Sequence, residues 1–410
     1  MKKLSLIFAA LLAVSALTPI SVSAADADEL TYTDSVDWDK FRGENITINV
    51  YNWGEYISVD DGSDGAFDTN RAFEELTGIN VNYTNFASNE ELYAKLKNGG
   101  SSYDVIIPSD YMIARMINEN MLEPLDYSNI PNYELLISDE FKSMDYDPDD
   151  KYSVPYMWGM VGIIYNTTLV DEEDDVYSWD ILWNEKYANN ILMFSNSRDA
   201  FMVAEKYLGY SMNTTDEQEL RSAAAALADQ KLLVQAYVMD EIFDKMIGGE
   251  AALAPYYAGD AITMIADNPD LAYAVPREGT NLFVDAMCIP KGAKNKEAAE
   301  LYINFMCETL VALRNCEYIG YSTPQEYVLD YLDPELAGDP IAYPDVETLA
   351  NTEAFIALPS ATTKLIDELW TNILTASEAA PWTIPVFLLA CLGLSVGINV
   401  YRQIKKKRTL

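Results

Sequence analysis

The stretch "INVYNWGEYI", Ile48 to Ile57, sets the reading of the whole chain. An apolar, β-branched run stops at Tyr51, and Trp53, Gly54, Glu55 and Tyr56 follow within five residues. A strand that ends on two aromatics and an acid offers a stacking surface beside a charge. Working outward from it, the pattern alternates: strand Ile46–Tyr51, helix Asn70–Thr77, strand Ile79–Phe86, helix Asn89–Lys97, strand Asp104–Pro108 and helix Tyr111–Glu119. A second series follows, with strand Val161–Tyr165, helix Trp179–Trp183, strand Ile191–Phe194, helices Arg198–Leu208, Asp216–Ala228 and Asp240–Ile247, strand Ala251–Tyr256, helix Gly259–Ala266 and strand Leu271–Val275. Short connections between strands and helices predict an α/β fold with parallel sheets flanked by helices. With 410 residues, half of them hydrophobic, the chain is long enough for two lobes. Beyond "NLFVDAMCIPKGAKNKEAAELYINFMC" it reads as mostly helical to Leu374.

In such sheets ligands bind beyond the carboxyl ends of the strands. "VYNWGEY" and "VIIPSDY" both sit there in the first series, and "SNSRD" and "YYAGDA" in the second. Together with "FVD" they gather Trp53, Tyr56, Asp110, Tyr111, Asp199, Tyr257, Asp260, Phe283 and Asp285. Taken singly, each is equally at home as a core aromatic or a solvated loop acid; their recurrence at one topological location favours a box of aromatic faces and carboxylates. Aromatic faces attract cations and pack methylene chains, and carboxylates neutralise ammonium groups, so the box suits a flexible organic cation.

The formal net charge of -38 points the same way. Seven of the 27 Lys and Arg residues lie at the two ends and none of the 65 acids does, leaving 20 against 65 for the body. Nucleic acid is a poor partner for such a surface, although solubility alone accounts for most surface acids. The chain has no histidine, which excludes Ser-His-Asp and Cys-His catalysis and the common His-containing zinc sites. No Gly-rich phosphate loop appears either, so no cofactor is expected. "DDGSDGAFD", Asp60 to Asp68, fails as a calcium loop because Gly62 and Arg71 occupy its third and twelfth positions. Of the four cysteines, Cys307 and Cys316 could pair or stay as buried thiols.

Both ends carry addresses. Lys2 and Lys3, the apolar run Leu4 to Leu17 and Val22-Ser23-Ala24 read as a secretory signal over 1–24, followed by a polar spacer over 25–44. No cysteine near that site offers a lipid anchor. Ile384 to Tyr401 is 18 residues without a charge, followed by the basic tail 402–410; it predicts a transmembrane helix with a cytoplasmic tail, the other reading being an amphipathic or buried helix. The expected location is the extracytoplasmic face of the membrane, in the periplasmic space or at the cell surface.

"VYNWGEYI", "NEELYAKLKNGGSSYDVIIPSDYMIARM", "YSVPYMWGMVGIIYN", "SWDILWNEKY", "LGYSMNTTD", "DAMCIPKGAKNKEAAELYINFM" and "IGYSTPQ" closely resemble, in order, the extracytoplasmic spermidine/putrescine-binding proteins of ABC importers. The resemblance runs from about Ile46 to Leu374. It implies a two-lobed periplasmic-binding-protein-like fold of the second type, closing on a polyamine about a hinge of two crossing strands and presented to permease subunits with a cytoplasmic ATPase. On that basis lobe 1 takes 45–160 and 285–325, and lobe 2 takes 161–284 and 326–376. The aromatic walls implied are Trp53, Tyr56, Tyr111, Tyr257, Phe283 and Tyr321, with Tyr257 and Phe283 standing where relatives often carry Trp. Ser109 would bond an amine, and Asp285, Asp199 and Asp260 would be the acids, with Asp110 as a further charge from the first lobe. Asn196 stands where spermidine-binding relatives have an acid, which implies that putrescine binds at least as tightly as spermidine. Gly54 replaces a hydroxyl-bearing residue of some relatives. A membrane-tethered polyamine sensor, or an enzyme acting on polyamines, are the other readings.

Overall fold

The computed structural model describes residues 30–62, 66–99 and 102–376. The expected signal segment, the span 384–401 and the basic tail lie outside the described residues. Among the described residues no helix is long and apolar enough to cross a membrane. Two compact units are distinguished, through Asp367 and from Glu368. Of the second, only the end of helix Ser360–Thr375 and Ala376 are described.

The first unit is an α/β structure with two sheet regions. In one, β1 (Thr47–Trp53) lies parallel to β2 (Asn80–Phe86) and to the short β3 (Val105–Ile106). In the other, β5 (Ile191–Phe194) lies parallel to β6 (Val234–Val238) and β7 (Leu253–Tyr257). Two long antiparallel strands join them. Residues Ser153 to Met160 of β4 (Ser153–Asn166) pair with β9 (Thr280–Cys288), and Val161 to Asn166 pair with β7 and with β8 (Leu271–Ala274). The order is β2-β1-β3-β9-β4-β7-β5-β6. The sheets are therefore mixed rather than purely parallel, because the crossing strands enter each against the others. β10 (Thr352–Glu353) adds a third, short pass along Thr280 and Asn281 of β9.

Local chemistry explains the elements. β1 buries Ile48 and Val50 on one face and Tyr51 on the other, as a central strand of a helix-covered sheet requires. Helix Thr69–Thr77 starts on Asp68, whose carboxylate accepts from the Arg71 N–H, and stops at Gly78, whose φ of 75° suits glycine. Pro155 sits at the irregularity of β4, where its missing N–H costs no ladder bond.

Three expectations need correction. β4 is nearly three times the expected length, since its first half, apolar on both faces and holding Pro155 and Gly159, shows no period-two alternation. β6 went unread between two helices, because "VQAYV" is short and half-polar. The segment from Gly320 to Pro359 is largely irregular, with helices only at Pro334–Ala337 and Val346–Ala350 and a tight turn at Val328–Asp330. Pro324, Pro334, Pro340, Pro344 and Pro359 interrupt it. Cys288, Cys307 and Cys316 are buried free thiols, so the disulfide alternative falls.

Candidate ligand-binding site

Each parallel strand stops at the same cleft. β1 delivers Trp53, Gly54 and Tyr56; β3 delivers Ser109 and Tyr111; β7 delivers Tyr256 and Tyr257, with Asp260 one turn into the following helix; and β9 crosses the floor with Asn281, Phe283 and Asp285. Asp199 comes from the first turn of helix Ser197–Tyr207. The cavity between them measures about 590 Å³ including its mouth. Of the twelve residues expected from the sequence, ten line it; Asp110 and Asn196 do not.

Asp285 is the central carboxylate and is only 4% exposed. The Tyr56 hydroxyl donates to its Oδ2 at 2.7 Å, while Oδ1 is buried without a hydrogen-bond partner. Burial pushes its carboxyl up to about 6, held back by the Ser109 and Tyr56 side chains. Ser109 occupies the N-cap of helix Asp110–Asn118 yet makes no capping bond. Instead the Asn89 amide donates to its Oγ at 3.0 Å, which keeps that oxygen on the cleft.

Asp199 is held differently. Tyr257 donates to its Oδ2 at 2.7 Å, and so does the Asn196 amide at 2.8 Å. Asn196 in turn caps the helix by accepting the Asp199 N–H at 2.9 Å. Its amide is thus a brace for Asp199 rather than part of the wall. Asp110 is buried behind the cleft, accepts the Tyr111 N–H at 2.6 Å, and is pushed by burial to about 8.

The walls are aromatic. Tyr56 meets Tyr321 edge-to-face at 4.8 Å, Tyr257 meets Phe283 at 5.5 Å, and Trp53 packs on Phe86 at 4.5 Å. A Cβ at Gly259 would fall inside the Tyr321 ring, so glycine there sets how deep that wall stands. The Trp53 Nε1 and the Asn281 Oδ1 are, like Asp285 Oδ1, buried without partners. Among the described residues no lysine or arginine lines the cavity, and burial raises the carboxyls of Asp199, Asp260 and Asp240 as well as that of Asp285. No group of His, Cys, Asp and Glu suited to a metal ion occurs among the described residues.

Sequence reasoning missed Asn89, Met239, Asp240, Tyr256, Asn281 and Phe355. Asp240 was legible in principle, because it lies two residues past the end of β6. It escaped because that strand was not recognised and the helix expected from Asp240 begins at Ile242.

Two α/β regions joined by crossing strands, with a cation-attracting cleft at the strand ends, define a solute-binding protein. The chain belongs to the bacterial extracellular solute-binding protein family, whose model matches residues 70–344. It is 35% identical over 344 residues to the spermidine/putrescine-binding periplasmic protein of Escherichia coli, covering 84% of this chain and 91% of that protein. Over 340 residues it is 30% identical to a putrescine/cadaverine-binding protein of Pseudomonas aeruginosa, covering 80% and 93%. The solved spermidine/putrescine transporter substrate-binding protein of Streptococcus pneumoniae is 39% identical, with a TM-score of 0.66, covering 80% of this chain and 99% of that one.

Proposed function

We propose that the protein captures a linear polyamine, putrescine or spermidine, in this cleft and hands it to the permease subunits of an ABC importer, acting by binding without chemical conversion. The observation that carries the reading is the lining itself. Asp199, Asp240, Asp260 and Asp285 stand between aromatic rings with no lysine or arginine in the lining among the described residues, Arg198 acting on Asp199 from outside it, and Asp285 Oδ1 is buried and unpartnered. An ammonium entering this cleft loses water, which the carboxylates replace, while the rings of Trp53, Tyr56, Tyr257 and Tyr321 cover its methylenes. A closed arrangement is then favoured only with ligand in place. The names of the relatives support the same ligand class.

The C-terminal stretch 384–401 is proposed to hold the protein at the extracytoplasmic face, with 402–410 inside. Recovery of the full-length mature protein in the soluble extracytoplasmic fraction would refute that anchor. For the ligand, thermal-shift and calorimetric titration of the full chain in mild detergent should show saturable binding of putrescine or spermidine. A response to sugars or calcium with none to either amine would overturn the reading. Ligand-stimulated ATP hydrolysis with the cognate permease distinguishes an importer from a sensor.

A further inference from the structure

Gly54 and Asp240 face each other across the mouth of the cleft. A Cβ built on Gly54 would overlap Oδ2 of Asp240 and stand 3.0 Å from its Cγ. The carboxylate therefore occupies the place a side chain at position 54 would need. Partial burial, Glu55 and Glu241 all push the Asp240 carboxyl up. Asp240 lines the cavity together with Asp199, Asp260 and Asp285, so the cleft holds more carboxylates than a diamine has ammonium groups.

We propose that Asp240, carried past the end of β6 and admitted by the missing side chain of Gly54, is a specificity-determining residue that supplies the counter-charge for a third ammonium group, so that a linear triamine binds in preference to a diamine. This rests on the polyamine reading of the site and deepens it. It reverses the ranking drawn from Asn196, whose amide is committed to capping its helix and bracing Asp199. A diamine is served by Asp199 and Asp285. A third ammonium is served by Asp240, where one strand end meets the bare backbone of the other at Gly54.

Calorimetry on the full chain in detergent tests this with spermidine and putrescine against wild type and Asp240→Asn, which lies outside the buried core. Asp240→Asn should weaken spermidine about tenfold or more and putrescine less than about threefold. Gly54→Ala should weaken spermidine by displacing the carboxylate, and should have no further effect in an Asp240→Ala background, a coupling that an acid remote from position 54 would not show. Binding of neither amine by the wild type overturns the polyamine reading itself. Binding of both with equal losses on Asp240→Asn, or with no loss, overturns only the role of Asp240.

Discussion

Replacing Asp285 by Asn should abolish tight binding while making the ligand-free protein more stable. The carboxylate is 4% exposed, and burial raises its pKa from 3.8 to about 6. A raised folded-state pKa means that the native protein holds the proton more tightly than the unfolded chain. Stability is therefore lost as pH rises from about 4 to about 6, and at pH 7 the ionised group has cost the full difference. That difference corresponds to roughly 3 kcal/mol at 1.36 kcal/mol per unit. Asn is nearly isosteric, keeps an oxygen for the Tyr56 hydroxyl at 2.7 Å and carries no charge, so up to about 3 kcal/mol should return. The same change leaves a desolvated ammonium of the ligand unpaired, which costs about 2–5 kcal/mol, or roughly 30-fold to several thousand-fold in affinity. Denaturant unfolding at pH 7 without ligand and calorimetry with spermidine measure the two effects on the same preparation. A variant less stable than the wild type, or an affinity loss below about tenfold, would refute the account of Asp285 as a strained central counter-ion.

Affinity for polyamine should be highest above neutrality and fall as pH drops through about 6, where Asp285 takes up its proton. The raised carboxyls of Asp199, Asp240 and Asp260 should add to the fall, and calorimetry from pH 8 to pH 5 giving a flat profile would count against it. Gly259→Ala places a methyl inside the Tyr321 ring and should cost about 1–3 kcal/mol of stability together with part of the binding, read by thermal unfolding and titration. Asn196→Ala should lose about 0.5–2 kcal/mol as a helix cap and weaken binding through the released Asp199, so an unchanged unfolding midpoint would contradict the capping role. Trp53→Ala removes one face worth about 0.5–2 kcal/mol and should hurt binding less than Asp285→Asn, the ranking being checked by calorimetry.

Much of this architecture is written in local chemistry. The β-branched run before Trp53, the capped helices that follow and the repeated coincidence of an aromatic and an acid at strand ends are properties of short segments. They located β1, β2, β5, β7 and β8, and eight of the residues that line the cleft, Ser109 and Tyr321 being implied only by the family resemblance. The sequence by itself thus determined the α/β class, the strand ends that gather at the cleft and the acidic, aromatic character of its lining, because burial pattern, capping and charge each act over a few residues. Tertiary structure alone decided how those residues divide their labour. Asn196 and Asp199 are three positions apart, yet only the folded helix turns one into a brace and the other into a wall. Asp240 and Gly54 are separated by the length of β2 through β6, and nothing in either segment reveals that a carboxylate from one fills the place of the side chain missing from the other. The raised pKa of Asp285 is likewise a consequence of what surrounds it in space. Desolvation and close approach depend on elements remote in the chain meeting at one point, and no window of sequence contains that information.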